Sequence, residues 1–247
     1  MQLNHIFRAR DLVKKNESKI SKLSDGETPN DRFRDRGFTS PKVLILLPLR
    51  SVAFRVVNRL IQLTPEAHRG TVEHHGRFND EFGCEEEPDE KDDDGKPSKP
   101  RDWEPLFGER NNDDTFVLGI KYTRKSIRLY NDFITSDMII DSPLGLQLVA
   151  INYALKTLQR WVYSYFIFYN LLYIIFQNWK HVQTVLTKLN VQSSGHHNTD
   201  VNRVRLMYLD GHARFYRQSI ILSSYLTPGC EHKGVLHEVL HNIYEKN

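Results

Sequence analysis

Cysteine is nearly missing from this sequence: Cys84 and Cys230 are the only two in 247 residues. That excludes a disulfide-stapled secreted fold, and their spacing fits no zinc knuckle. Glycine is present, yet it never forms the G-x-x-x-x-G-K-[ST] pattern whose backbone amides wrap phosphates. The nearest match, GIKYTRKS (Gly119 to Ser126), has Arg124 where the second glycine belongs, so a basic surface is the better reading. Long apolar runs are scarce too. The exception is WVYSYFIFYNLLYIIF (Trp161 to Phe176), uncharged and rich in aromatics. Its 16 residues fall short of the about 20 that a membrane span needs, and Lys156 and Arg160 part it from the apolar stretch before it. The expectation is buried core or a segment foreign to the fold, with membrane insertion as the alternative. The opening MQLNHIFRARDLVKK holds no apolar run of signal-peptide length, which with the cysteine count favours a nuclear or cytosolic protein.

What the chain does carry is unevenly placed charge. Its net charge is +3, but Glu85 to Asp94 holds eight acids and one lysine, which leaves +10 on the remainder. A basic body with an acidic appendage suits a polyanionic partner. Residues 84–102 combine low hydrophobicity with dense like charge and are expected to be disordered. On either side of them the sequence reads as layered α/β. Residues 1–20 have helical character and 21–41 read as a polar loop. Val43 to Leu47 is a strand of the doubly covered kind, after which Ser51 caps a helix with Val52, Val56, Leu60 and Leu63 on one face. Thr115 to Tyr122 reads as a strand, TRKSIRLYNDF as a helix, and Met138 to Ile140 as a strand. Trp179, Val182, Leu186 and Leu189 share a helix face, Val204 to Phe215 suggests another helix, and Ile220 to Leu222 a strand. The domain reading is an N-terminal helix and loop (1–41), an α/β domain (42–228) and a divergent tail (229–247).

Two catalytic patterns are decoys on this reading. LMYLDGHARF (Leu206 to Phe215) mimics an acidic ATPase motif, but Gly211 stands where a water-positioning glutamate is needed. His237-Glu238-Val239-Leu240-His241 is a literal HExxH, with two histidines spaced to hold zinc on one helix face and a glutamate to activate water. Only six residues follow, and the third ligand is usually found downstream, so chance is the better explanation.

The candidate contacts to nucleic acid are more numerous. Arg50 lies at a strand-to-helix loop, where a guanidinium and helix amides can share one phosphate. Ser142 offers a hydroxyl at a second such loop. Lys121, Arg124, Lys125 and Arg128 form one basic cluster, and Arg203, Arg205, Arg214 and Arg217, with Phe215 and Tyr216 interleaved, form another. Arginine beside aromatics suits phosphate contact and base stacking. The competing reading is a solvated basic face with its aromatics in the core.

VLILLPLRSVA, SDMIIDSPLGL and QSIILSSYLTP, in that order, resemble three strand-into-loop landmarks of the first RecA-like lobe of DEAD-box helicases. Longer strings narrow the resemblance: RGFTSPKVLILLPLRSVAFRVVNRLIQLTPE, FNDEFG, GIKYTRKSIRLYNDF, SDMIIDSPLGL, QNWKHVQTVLTKLN and YLDGHARFYRQSIILSSYLTP are similar to the digestive organ expansion factor family. The resemblance covers about residues 1–146 and 177–228, with 147–176 matching nothing in it. It implies an incomplete α/β, RecA-like sheet with flanking helices, no ATPase activity and no cofactor or small-molecule substrate. It further implies a nucleolar role in small-subunit processome assembly and pre-rRNA processing, with the U3 small nucleolar RNA particle and other processome proteins as partners.

Overall fold

The run Val43–Leu46 contains no polar residue, so it belongs where both faces of a strand are covered. It forms β1, with all four side chains buried. The computed structural model describes residues 2–22, 31–83, 111–152, 164–169, 181, 200–212 and 218–222. Among them β1 is followed by β2 (Thr71–Glu73), β3 (Val117–Tyr122), β4 (Ser126–Leu129), β5 (Met138–Asp141), β6 (Tyr165–Tyr169) and β7 (Gln218–Leu222). These join one sheet in the order β2-β4-β3-β5-β1-β6-β7. Every pairing is parallel except those of β3, which runs antiparallel to β4 and β5. The register sets Val43 between Met138 and Tyr165. This mostly parallel sheet with flanking helices is the α/β architecture expected from the sequence.

Helix α1 (Gln2–Ile20) buries Ile6, and its Phe7 meets the edge of Tyr122 at 5.6 Å between ring centres. Helix α2 (Arg50–Leu63) buries Val52, Ala53 and Val57, each sealed in the core. Complete burial of each valine contributes about 1.5–3 kcal/mol, and the alanine less. The apolar stripe of α2 is turned slightly from the one expected. Val56 and Leu60 only flank the core, and Leu63 is exposed. Helix α3 (His75–Phe82) places Phe78 and Phe82 in an aromatic row with Phe54 and Phe116, at centre distances of 5.5, 4.9 and 5.6 Å. Helix α4 (Pro143–Asn152) follows β5 directly.

Four expectations need correction. TRKSIRLYNDF is not helical: Thr123 and Ser126 close a tight turn through backbone and hydroxyl bonds of 2.8 Å, and Ser126–Leu129 returns as β4. The period-two signal was present, since Ile127 and Leu129 are buried while Arg128 faces out. Ser51 does not cap α2. The helix starts one residue earlier, and its first amides find carbonyls of residues 111 and 113 instead. The described part of Val204–Phe215 is helical only over Leu206–Leu209, which ends before Gly211 at φ 71°. Finally, the foreign-segment reading of the aromatic run gives way to the buried-core one, since the run supplies a sheet strand. β6 lies between β1 and β7 with Ile167 and Phe168 buried, so its environment is core and not lipid. Among the described residues no helix is long and apolar enough to cross a membrane. The acidic loop 84–102, the face of Val182, Leu186 and Leu189 with Trp179, and the HExxH at 237–241 lie outside the described residues.

Candidate nucleic-acid interface

Arg50 begins α2 at the carboxyl end of β1, the end at which open α/β sheets bind ligands. Its surroundings are already full. The guanidinium donates to the carbonyls of Thr115 (2.9 Å) and Glu81 (3.4 Å), and pairs with the carboxylates of Asp113 (3.1 Å) and Glu81 (3.9 Å). Its carbon lies 5.5 Å from the centre of the Phe82 ring. Glu81 in turn accepts from the Tyr130 hydroxyl at 2.8 Å, while Arg77 stacks 4.0 Å from the Tyr130 ring centre. The Tyr130 hydroxyl is pushed up by burial and by its bond to Glu81. The backbone amides of Arg50 and Ser51 donate to the carbonyls of Asp113 (2.9 Å) and Asn111 (3.2 Å).

The second expected loop contact changes character. Ser142 is completely buried, and its hydroxyl accepts from the Gly145 amide at 2.9 Å and the Phe116 amide at 3.3 Å. It therefore caps α4, and burial keeps its hydroxyl from any solvent-borne phosphate. Beside it, Asp141 is also fully buried; neither carboxylate oxygen makes a well-formed hydrogen bond among the described residues, and the neighbouring Ser142 amide offers only partial compensation. Burial pushes this carboxyl well above the usual carboxylate range.

The β3–β4 hairpin is the better-exposed basic feature. Arg124 and Lys125 occupy its turn with exposed side chains. Three successive carbonyls fix the turn's backbone: Arg10 donates to Thr123 at 2.8 Å, the His68 ring contacts Arg124 at 3.0 Å, and the Thr71 amide donates to Lys125 at 3.3 Å. Close packing reinforces this, because a side chain on Gly70 would lie 2.8 Å from the Lys125 carbonyl. Lys121 and Arg128 sit opposite each other across the hairpin. Arg128 bonds Glu73 at 2.9 Å, and Ser126 donates to the same carboxylate. That hydroxyl, and then the guanidinium, hold Glu73 below the usual carboxylate range. The hairpin thus offers two cations on a rigid mount, a third partly covered at Lys121, and a fourth already paired.

The other cluster is split. Arg203 is buried: its Nη2 donates to both oxygens of Asp35, at 2.8 and 2.9 Å, and Asn16 donates to Asp35 at 2.9 Å. With 8% of its side chain exposed it joins the 200–205 segment to the α1 face, and burial removes it from the surface expected of it. Arg205 is half-buried, and its amide donates to the Arg36 carbonyl at 3.0 Å while the Arg36 amide donates to the Arg203 carbonyl. Arg214, Phe215, Tyr216 and Arg217 lie outside the described residues. Helix α1 connects the two regions, touching the hairpin through Arg10 and Arg36 and Arg203 through Glu17. Seven helical residues separate those contacts by about 10 Å. Asp35, Asp113 and Arg10 carried no signal in the sequence, because each acts through a partner far along the chain.

The decoy motifs have unsuitable geometry where they are described. GIKYTRKS forms strand, turn and strand, whereas a phosphate loop runs from a strand into a helix. Asp210 follows a helical turn and not a strand. Among the described residues no group of acids, histidines and cysteines is placed to hold a metal.

Comparison with known proteins gives one consistent result. The model of the "UTP25, NTP hydrolase-like domain" family matches residues 1–245. Protein NUCLEOLAR FACTOR 1 of Arabidopsis thaliana is 53% identical over an alignment covering 99% of this chain and 38% of that protein. U3 small nucleolar RNA-associated protein 25 is 37% identical in Arthroderma benhamiae, over 99% of the chain and 32% of the relative. In Schizosaccharomyces pombe it is 39% identical, over 90% and 32%. The chain thus spans under two-fifths of the length of these relatives. The matched range runs through 147–176 and past 228, where the sequence alone gave no resemblance; within it, β6 is an integral strand. No solved structure matches the chain.

Proposed function

The chain belongs to the UTP25 family, and from that premise we propose that it is a non-catalytic RNA- and protein-binding module of a nucleolar, U3 small nucleolar RNA-associated particle acting in pre-rRNA processing and small-subunit biogenesis. The observation that carries this reading is the similarity to relatives named for U3 association and for the nucleolus, over 90–99% of the chain. The β3–β4 hairpin supplies a physical means. Arg124 and Lys125, with Lys121 beside them, meet RNA phosphates from a backbone held at three carbonyls, so little ordering entropy is lost on contact. Arg205 adds a further contact, and Arg214, Phe215, Tyr216 and Arg217 extend it, whereas the buried Arg203 takes no part. An ATP-independent role belongs to the same proposal, supported by Arg124 in place of the second glycine of a phosphate loop and by the glycine at position 211.

The test is sedimentation of nucleolar extract from cells expressing the tagged chain, with and without ribonuclease. Migration with large U3-containing particles, collapsing to light fractions after digestion, is the expected result. A light position in both gradients overturns the assignment.

A further inference from the structure

Resting on that RNA-binding reading, we propose that the segment 111–115 is an internal occupant of the Arg50 site, its carboxylate and carbonyls standing where RNA phosphate oxygens would bind, so that RNA engages Arg50 only by displacing it. Asp113 places one carboxylate oxygen 3.1 Å from the Arg50 guanidinium. Its carbonyl and that of Asn111 take the first two amides of α2, at 2.9 and 3.2 Å. The carbonyl of Thr115 takes the segment's second guanidinium contact, at 2.9 Å. Acceptors of a short peptide therefore supply what a phosphate supplies in such a site: one negative charge on a guanidinium and several oxygens on helix-start amides.

The occupation is incomplete and shallow. Arg50 Nε has no acceptor, and the hydroxyl of Ser51, buried in the same first turn, has no partner among the described residues. The Asp113 side chain is 44% exposed and Asn112 is exposed, so the segment lies on the surface and not within the core. Its anchors are few. Asn111 donates to the carbonyls of Glu81 (2.9 Å) and Gly83 (3.3 Å), and Asp113 receives the Thr115 amide at 2.7 Å. A polyphosphate strand carries repeated charge where this segment supplies a single carboxylate to the guanidinium, and so is a stronger occupant of the same position. The consequence is selection: a weak or short anion leaves the segment in place, and a strand also held by the hairpin displaces it.

The experiment is equilibrium binding of the full chain to a labelled single-stranded oligouridine, comparing wild type, Asp113→Asn, Arg50→Gln, the double variant and R124A/K125A. Removing the competing charge is expected to tighten binding up to about fivefold, the scale of a part-exposed ion pair. The gain should vanish in the Arg50→Gln background. If Asp113→Asn binds no tighter while R124A/K125A still binds more weakly, the internal-occupant proposal falls and the RNA reading stands. If wild type binds no RNA, or the hairpin variant loses nothing, the RNA reading falls and this proposal with it. Hydrogen exchange on wild type gives a readout that needs no variant. Saturating oligouridine should accelerate amide exchange across 111–117, and unchanged exchange there overturns the displacement.

Discussion

Removing one member of the Arg203–Asp35 pair should cost far more stability than removing both. Asp35 accepts three bonds, from Arg203 at 2.8 and 2.9 Å and from Asn16 at 2.9 Å, with 2% of its side chain exposed against 8% for Arg203. Truncating Arg203 to Ala leaves a carboxylate in a dry site with only an amide to answer it, a situation that costs about 3–5 kcal/mol. Truncating Asp35 strands the guanidinium, whose remaining acid, Glu17, is 3.8 Å away and half-exposed, so the cost is similar. In R203M/D35L no ion is left behind. The residual loss is the amide of Asn16 without its acceptor, about 1–3 kcal/mol. Urea unfolding of wild type, Arg203→Met, Asp35→Leu and the double variant at neutral pH gives the cycle, each single leaving the same stranded ion as truncation does, with a coupling of at least about 2 kcal/mol expected. Single variants that cost under about 1 kcal/mol would show a solvated pair and refute the burial argument. RNA affinity of Arg203→Ala, measured where it remains folded, should match wild type, because this arginine fastens segment 200–205 to α1.

Three further outcomes follow from the geometry. Gly119→Ala should destabilise by about 3 kcal/mol, since its Cβ would lie 2.3 Å from the Asn131 carbonyl and 2.6 Å from the Ser136 hydroxyl; a thermal melt reads the loss. Asp141→Asn should gain stability relative to wild type as pH rises toward neutral, because burial penalises the ionised carboxylate and only the Ser142 amide offsets it. The folded-state pKa of Asp141 is raised, so wild-type stability is greatest below the unfolded value and falls as pH climbs through the folded one. The variant should lack that slope in paired melts at acid and neutral pH. R124A/K125A should lower the slope of log affinity against log salt by about 1.4, two single-strand contacts at about 0.7 each, without moving the melting temperature.

The sheet was legible where burial on two faces leaves an unbroken apolar run. Val43–Leu46 and Met138–Asp141 form strands close to the ranges read from the sequence, and the structure pairs them side by side. The hairpin was misread because TRKSIRLYNDF has helix-forming residues at helical spacing. What decides the conformation is the Thr123 hydroxyl on the Ser126 amide, with neighbours on both sides of β4. The aromatic run was hard for a different reason. Uncharged residues suit a core strand and a bilayer equally, and only the partners β1 and β7 distinguish them. Among the expected site residues, Arg124 and Lys125 are exposed as their charge suggests, though they sit in a turn and not on the helix read there. Composition misplaced Arg203 and Ser142, since burial of a polar group depends on a partner distant in sequence: Asp35 for one, the Phe116 and Gly145 amides for the other.

The most direct test of the central claim is ultraviolet cross-linking of the full chain to RNA in nucleoli, with cross-linked peptides mapped by mass spectrometry. The account predicts cross-links concentrated on the peptide spanning Lys121 to Lys125, carrying pre-rRNA or U3 small nucleolar RNA. RNA cross-links absent from that hairpin, or a chain recovered with no RNA, would contradict it.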